Sequence, residues 1–347
     1  MNNLFIMHTQ YNLILSAGIT TRYKNDYNVL VLYAEFSVYD QLLARLNDVF
    51  DEVVVVNDSF KRFNSSKGEL DFIKQCAKKC KKLWHIQFDK VFLSQESIFE
   101  RILLRKAQKL NKNVVSFNIE EDAYYSINNK FNDENYKAIV PLKTKVKRFL
   151  QRCYLFGYPY NYKEIIYCYG MYSEHVGVHM LFPDIARREI RNKNNTEITK
   201  EELLFGINAL YGYKKIDYPK GDKYLIIFFD LLSRYQNKQA TVDAFKQLVE
   251  QYNDYTILLK YHPRETQKIQ EFSEFYEVDN TVPAEKALLD LVGKDVVVVG
   301  NATTSILVAA KMEYKVYSVC NIDAPDNKKM KQAMTAMGID FIEKVKI

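Results

Sequence analysis

Two periods alternate along this chain. Short apolar runs rich in Val, Ile, Leu, Phe and Tyr give way to longer stretches in which apolar residues return every three or four positions. The first pattern marks buried strands and the second amphipathic helices. In the N-terminal half it predicts strands at Asn3–Met7, Asn28–Tyr33, Glu52–Asn57, Lys90–Ser94 and Asn113–Asn118, and helices at Tyr11–Tyr23, Val38–Leu46, Glu69–Lys82 and Ile98–Leu110. Leu70, Ile73, Cys76, Ala77 and Cys80 form the apolar face of the third helix. The C-terminal half repeats the scheme, with strands at Lys223–Phe229, Tyr255–Tyr261, Asp295–Val299 and Val316–Val319. Helices fall at Thr241–Tyr252, Glu285–Val292, Ser305–Met312 and Asn327–Met337. Strands alternating with helices argue for α/β architecture and parallel, doubly wound sheets.

The 347 residues suggest two domains, at roughly 150 residues each. The pattern places one Rossmann-like domain at 1–155 and a second at 221–347, whose final helix is free to cross back. Between them, 156–220 reads as connecting structure, where aromatic residues, Lys and Asn mix with Gly157, Pro159, Gly170 and Pro183. Two such domains facing across a cleft make the GT-B arrangement.

Hydrophobic residues are 48% and charged residues 27%, which excludes a disordered chain. No apolar run approaches the ~20 residues of a membrane span. The start, Met1-Asn2-Asn3, lacks a basic region, and Leu4–His8 is too short for a signal peptide, so the expected location is the cytoplasm. Cys76, Cys80, Cys153, Cys168 and Cys320 lack metal spacing and read as unpaired thiols. The formal charge of +6 is uneven: residues 142–152 hold five cations and no acid, and Arg187, Arg188, Arg191 and Lys193 follow. By charge alone such patches suit anionic headgroups or nucleic acid, and equally a solvated helix face.

Five stretches carry candidate chemistry. In Tyr255–Glu265 an apolar strand ends in Lys260, Tyr261, His262 and Pro263. Pro263 lacks an N–H and biases His262 away from the helical region, so an imidazole is held at a strand's carboxyl end, the edge where open α/β sheets bind ligands. It serves equally as a simple strand end. Asn118-Ile-Glu120-Glu121-Asp122 sets three carboxylates after a strand; mutual repulsion can raise one pKa into the range of a base, or the stretch is an acidic helix start. Asp230 ends an apolar strand, as a cap or as a general base. Gly300-Asn-Ala-Thr303-Thr304-Ser305 leads from strand to helix, where backbone N–H groups and hydroxyls suit a phosphate or merely cap the helix. It matches neither a Walker loop nor a dinucleotide fingerprint. Glu285, two residues after Pro283, can accept ribose hydroxyls or simply open a helix.

Taken in order, an acidic pair, His-Pro, Pro-x-Glu and Ser/Thr resemble the motifs of bacterial GT-B sialyltransferases. The likeness is nearest to glycosyltransferase family 52, the lipooligosaccharide and capsule sialyltransferases. It extends to Leu4-Phe-Ile-Met-His-Thr9, Asp89-Lys-Val-Phe-Leu-Ser94, Tyr172-Ser-Glu-His175 and His262-Pro-Arg264. One position departs: Asp122 stands where the family has glycine after the acidic pair. Either that turn tolerates Asp, which accepts unusual backbone angles better than most residues, or the base lies elsewhere.

The resemblance implies an inverting transfer of sialic acid from CMP-sialic acid to a galactose-terminated or related glycan. Asp230 ranks first as base, ahead of Glu120 and Glu121. His262 would assist the departing phosphate, with Thr304, Ser305 and Gly300 at the phosphate and Glu285 at the ribose; Lys260 and Pro263 complete the donor side. The acidic motif puts the first domain on the acceptor side. No cofactor or metal is expected, and no DxD motif is present. The expected partners are the CMP-sugar, a glycan acceptor that can be lipid-linked, and an anionic membrane surface at the inner face of the plasma membrane. Nucleic acid is not among them, and a homodimer stays open. Rival readings are a Kdo or polysialic acid transferase, a GT-B nucleotide-sugar epimerase, and a non-enzymatic membrane-surface binding protein.

Overall fold

The computed structural model describes residues 1–120, 124, 142–155, 170, 172–235, 237–301, 303–320 and 328–342. The chain packs as two compact units, one of Met1–Ala123 with Asp133–Leu210 and the other of Tyr124–Asn132 with Tyr211–Ile347.

The first unit contains β1 (Asn2–Met7), α1 (Gln10–Thr20), β2 (Tyr27–Ala34), α2 (Asp40–Val49), β3 (Glu52–Asp58), α3 (Ser66–Lys79) and β4 (Lys90–Leu93). It continues with α4 (Ile98–Leu110), β5 (Val115–Ile119), α5 (Leu142–Tyr154), β6 (His175–Met180), β7 (Thr196–Glu197) and α6 (Lys200–Tyr211). The seven strands lie in the order β3-β2-β1-β4-β5-β6-β7, every neighbour parallel. A parallel sheet is covered on both faces, which is why β1 is an unbroken apolar run buried from its second residue onward. One face rests on a cluster that includes Leu4, Val31, Ile73, Phe99 and Leu103. On α1, buried from Tyr11 to Thr20, glycine decides the packing against α6. A Cβ on Gly18 would lie 2.4 Å from the Glu202 carbonyl oxygen, and one on Gly206 2.1 Å from that of Ile14, so the two backbones touch there. The start of α4 is written in the sequence: Ser97 and Glu100 form a reciprocal capping box.

The second unit contains β8 (Lys223–Phe228), α7 (Lys238–Gln251), β9 (Thr256–Lys260), β10 (Tyr276–Glu277), α8 (Ala284–Asp290) and β11 (Asp295–Gly300). Then come α9 (Thr304–Lys311), β12 (Lys315–Ser318), α10 (Lys328–Ala336) and β13 (Ile339–Phe341). Its sheet, also parallel, runs β10-β9-β8-β11-β12-β13. In both units the first strand is central, flanked by the second and fourth. This is the doubly wound order, and its switch point lies beside that central strand.

Two boundaries differ from those read off the sequence. The stretch taken as connecting, 156–220, supplies β6, β7 and α6, so the first unit ends at Leu210 and not near 155. The strand β6, His-Val-Gly-Val-His-Met, was obscured by its polar and glycine content. Gly177 is needed because a Cβ there would sit 1.9 Å from the Asn194 carbonyl oxygen. At the other end, α10 turns at Gly338, whose φ is +82°, and β13 then pairs with β12. The last helix thus leads into the second unit's own sheet.

Candidate active site

In the second unit the carboxyl ends of β9, β8 and β11 bring together most of the predicted residues. Phe228 pairs with Lys260 on one side and Gly300 on the other. Asp230 and His262 each follow by two positions, on strands about 4.8 Å apart. Beneath them Phe229 stacks on Tyr261 at 4.7 Å, which holds both strand ends.

His262 is fixed in a useful tautomer. Its Nδ1 accepts the Arg264 backbone N–H at 3.1 Å, so in the neutral ring the proton sits on Nε2. Burial lowers the imidazole pKa, and Arg264, Arg234 and Lys260 add to this against the opposing pull of Asp230. The ring is therefore a neutral Nε2–H donor near pH 7. Asp230, mostly buried, accepts from the Leu231 N–H at 2.7 Å and from Arg234 Nη1 at 3.1 Å, while its own N–H donates to Tyr235 Oη at 3.1 Å. The Arg234 side chain remains half exposed at 49%.

Two residues of this edge escaped the sequence reading. Arg234 follows Asp230 by four positions on a short 3-10 turn, Leu232–Arg234, and its i,i+4 spacing from an acid was the available signal. Glu265 links the two loops: it accepts the Leu232 N–H at 2.7 Å and those of Thr266 and Gln267 at 2.9 and 2.8 Å. Burial would raise its pKa, but these three donors win and hold it low. Nothing in its spacing announces that role.

Lys260 is buried, with Nζ donating to the Tyr261 carbonyl at 3.2 Å and to Asn280 Oδ1 at 3.4 Å. Burial pulls its pKa down to about 8, against the carboxylates of Asp279, Glu285 and Glu277. Glu285 opens α8 and is buried near Lys260; burial pushes it up. Pro263 lies in the turn between His262 and Arg264. Gly300 answers a packing need, since a Cβ would come within 2.8 Å of Ile306 Cγ2 on α9. At the head of α9 no side chain caps the helix; Thr304 is exposed, and Ser305 Oγ lies 2.9 Å from Thr303 Oγ1.

The acidic motif belongs to the first unit. Glu120 is buried: one carboxylate oxygen accepts from Tyr11 Oη and the other from the Leu181 N–H at 2.5 Å. It ties α1 and the end of β6 to the end of β5. Glu121 and Asp122 lie outside the described residues, as does Cys168. The first unit also has a cavity of about 260 Å³ along the carboxyl ends of β1 to β4, lined by His8, Tyr33, Glu35, Asn57, Phe60 and Phe63 among others. His8 sits 3.2 Å from Glu100 and 3.5 Å from Glu35, as charge pairs rather than aligned hydrogen bonds. Burial opposes its charge, yet the two carboxylates prevail and raise the imidazole to about 9. His175, from the quoted Tyr-Ser-Glu-His run, packs against Glu96 at 3.2 Å and Ser116 Oγ at 2.9 Å as part of the sheet's framework. Among the described residues no group of three His, Cys, Asp or Glu could hold a metal ion, and no helix is long and apolar enough to cross a membrane.

Two parallel-sheet α/β domains, the second with imidazole and carboxylate on adjoining strand ends, make this a protein of GT-B fold, the fold of glycosyltransferases and nucleotide-sugar epimerases. The model of the alpha-2,8-polysialyltransferase (POLYST) family matches residues 3–319, and the chain belongs to that family of sialyltransferases. The family implies a nucleotide-sugar donor and a glycan acceptor. No curated protein matches the sequence. Among solved structures, the UDP-GlcNAc 2-epimerase of Neisseria meningitidis aligns with a TM-score of 0.56 at 11% identity, over 99% of this chain and 88% of its own. A sialyltransferase from Photobacterium damsela aligns with a TM-score of 0.50 at 12% identity, over 99% of this chain and 81% of its own. The glycosyltransferase SnogD from Streptomyces nogalater gives 0.50 at 9% identity, over 99% and 87%. At such identities these structures bear on the fold alone.

Proposed function

We propose that the protein transfers sialic acid from CMP-sialic acid to a glycan hydroxyl, inverting the anomeric centre. The observation that carries this reading is the His262 tautomer: an Nε2–H donor at the switch-point edge of the second unit, beside Asp230. CMP leaves as a phosphate monoester, so negative charge grows on its oxygens and needs donors. His262 Nε2–H supplies one, and the uncapped head of α9 with Thr304 and Ser305 supplies others. Glu285 takes the ribose hydroxyls. Asp230 removes the acceptor's proton in this reading. Glu120 ranks below it, because both its oxygens already hold α1 and β6 in place. CMP is a good leaving group, and no metal is called for.

For the acceptor we propose a glycan ending in an uncharged sugar such as galactose, as in the likeness to family 52. The cavity of the first unit supports this. Tyr33, Phe60 and Phe63 offer ring faces for the apolar side of a pyranose. Asn57 also lines the cavity, fixed because its Nδ2 donates to the Ala34 and Ser59 carbonyls at 2.6 and 2.7 Å. The lining cations His8 and Lys61 are matched by Glu35 and Glu69, so nothing there selects an anion.

The test is nucleotide release. With CMP-sialic acid, CMP is expected only when acceptor is present, and faster with a galactose-terminated acceptor than with an oligomer of sialic acid. The reverse preference would return the acceptor to the polysialic acid reading. Release of UDP from UDP-GlcNAc without acceptor would instead make the protein an epimerase, the alternative that shares its fold.

A further inference from the structure

The helix α5, Leu142–Tyr154, has no buried residue, although its first unit buries its other apolar elements thoroughly. Leu142, Val146, Phe149 and Leu150 are 76%, 50%, 65% and 60% exposed, and Cys153 is exposed beside them. Their spacing of i, i+4, i+7, i+8 and i+11 places all five within an arc of about 100°. The cations border that stripe on both sides. Lys143 and Lys147 follow it on one flank, and Lys145, Arg148 and Arg152 on the other, with no acidic residue in the helix. One end is tethered: Tyr154 Oη donates to Asp71, Lys74 Nζ lies 3.7 Å from the Tyr154 ring centroid, and Leu155 is wholly buried in the first unit's core.

An apolar stripe of this size left open to water on a tethered helix is a binding surface, and its charge says for what. A protein partner would require a matching acidic groove. A bilayer with anionic headgroups meets both features at once, because the stripe enters the acyl boundary while the flanking Lys and Arg reach the phosphates. We infer that α5 is an in-plane membrane helix that docks this chain on an anionic bilayer. Cations alone would give only salt-sensitive adsorption, since the Debye length is about 10 Å at 0.1 M salt. The stripe adds insertion, and insertion can be measured separately.

The experiment uses the full chain with vesicles of phosphatidylglycerol and phosphatidylcholine, and with vesicles of phosphatidylcholine alone. Sedimentation is expected with the first and not the second. F149S combined with L150S, both exposed, is expected to weaken that binding about tenfold while circular dichroism and melting stay unchanged. K143Q combined with K147Q should weaken it similarly and reduce its salt dependence. In F149W the added indole should shift its emission to the blue on anionic vesicles. Loss on charge removal without any effect of F149S/L150S, or an indole that stays in water, would reduce the helix to a charged patch and overturn the inference. A concentration-dependent dimer abolished by F149S/L150S would give the stripe to a second copy instead and overturn it as well. These readouts need no turnover, so they stand or fall apart from the donor and acceptor proposed above.

Discussion

The two sheets share one winding order, yet their carboxyl ends are finished differently. In the first unit the central strand β1 runs into His8, buried between Glu100 and Glu35. Other polar groups of this unit are also spoken for: Glu120, at the end of β5, by Tyr11 and Leu181, and His175, at the start of β6, by Glu96 and Ser116. These side chains join one strand or helix to another. In the second unit the central strand β8 ends in Asp230, held by a half-exposed arginine, and the adjoining strand ends in a half-buried histidine whose Nε2–H meets no acceptor among the described residues. An α/β sheet places polar groups at the same edge in both cases. What distinguishes a framework from a site is whether protein partners have already consumed their hydrogen-bonding capacity. Fold alone does not decide this.

The sharpest test of that contrast is the histidine of the second unit. H262A is expected to lower turnover by about two to four orders of magnitude with the melting temperature unchanged. Wild-type turnover in the folded variant would remove His262 from the chemistry. If the ring acts as a neutral Nε2–H donor, as its lowered pKa implies, the wild-type rate should hold as pH rises from 7 to 8; a fall there would mark it as a proton donor instead.

The carboxylates come next. D230N should lose about a hundredfold or more in rate and the acidic limb of the pH–rate profile, with little loss of stability. E120Q should do the opposite, losing roughly 1–3 kcal/mol of stability through its mismatched buried hydrogen bonds while keeping the acidic limb. If E120Q loses the limb and D230N keeps it, the base belongs to the acidic motif and the contrast between the units fails at this point.

The third expectation concerns His8. Its folded pKa is raised, to about 9, so the stabilisation from its charge is complete below the unfolded value of about 6.5 and drains away as pH rises from there through 9. The loss should be on the order of 2 kcal/mol, seen as a melting temperature that falls between pH 7 and 9. In H8Q that slope should vanish. A slope retained in H8Q would place the titrating group elsewhere.

The smallest expected effect is none at all: turnover should be the same in EDTA as in Mg²⁺. Activity lost to the chelator and restored by Mg²⁺ or Mn²⁺ would mean that the charge on the departing phosphate is met by a cation and not by His262 and the head of α9.

By itself the sequence determined most of the strands and helices and the doubly wound class, because short apolar runs and 3.6-residue periods report burial directly, as β1 and α4 show. It also determined that His262 and Asp230 stand at strand ends, since Pro263 and the limits of the apolar runs are local features. Tertiary structure decided the rest. Whether Gly18 and Gly206 are idle or let α1 and α6 touch depends on a partner far along the chain. The short strand β6, with two histidines and a glycine, becomes recognisable only against β5. The difference between Glu120, used up by Tyr11 and Leu181, and Asp230, held by a solvent-facing arginine, cannot be seen in two acids that each follow a strand. Periodicity measures how much of a side chain is buried. Reactivity depends on which other groups share that burial, and only the folded chain chooses them.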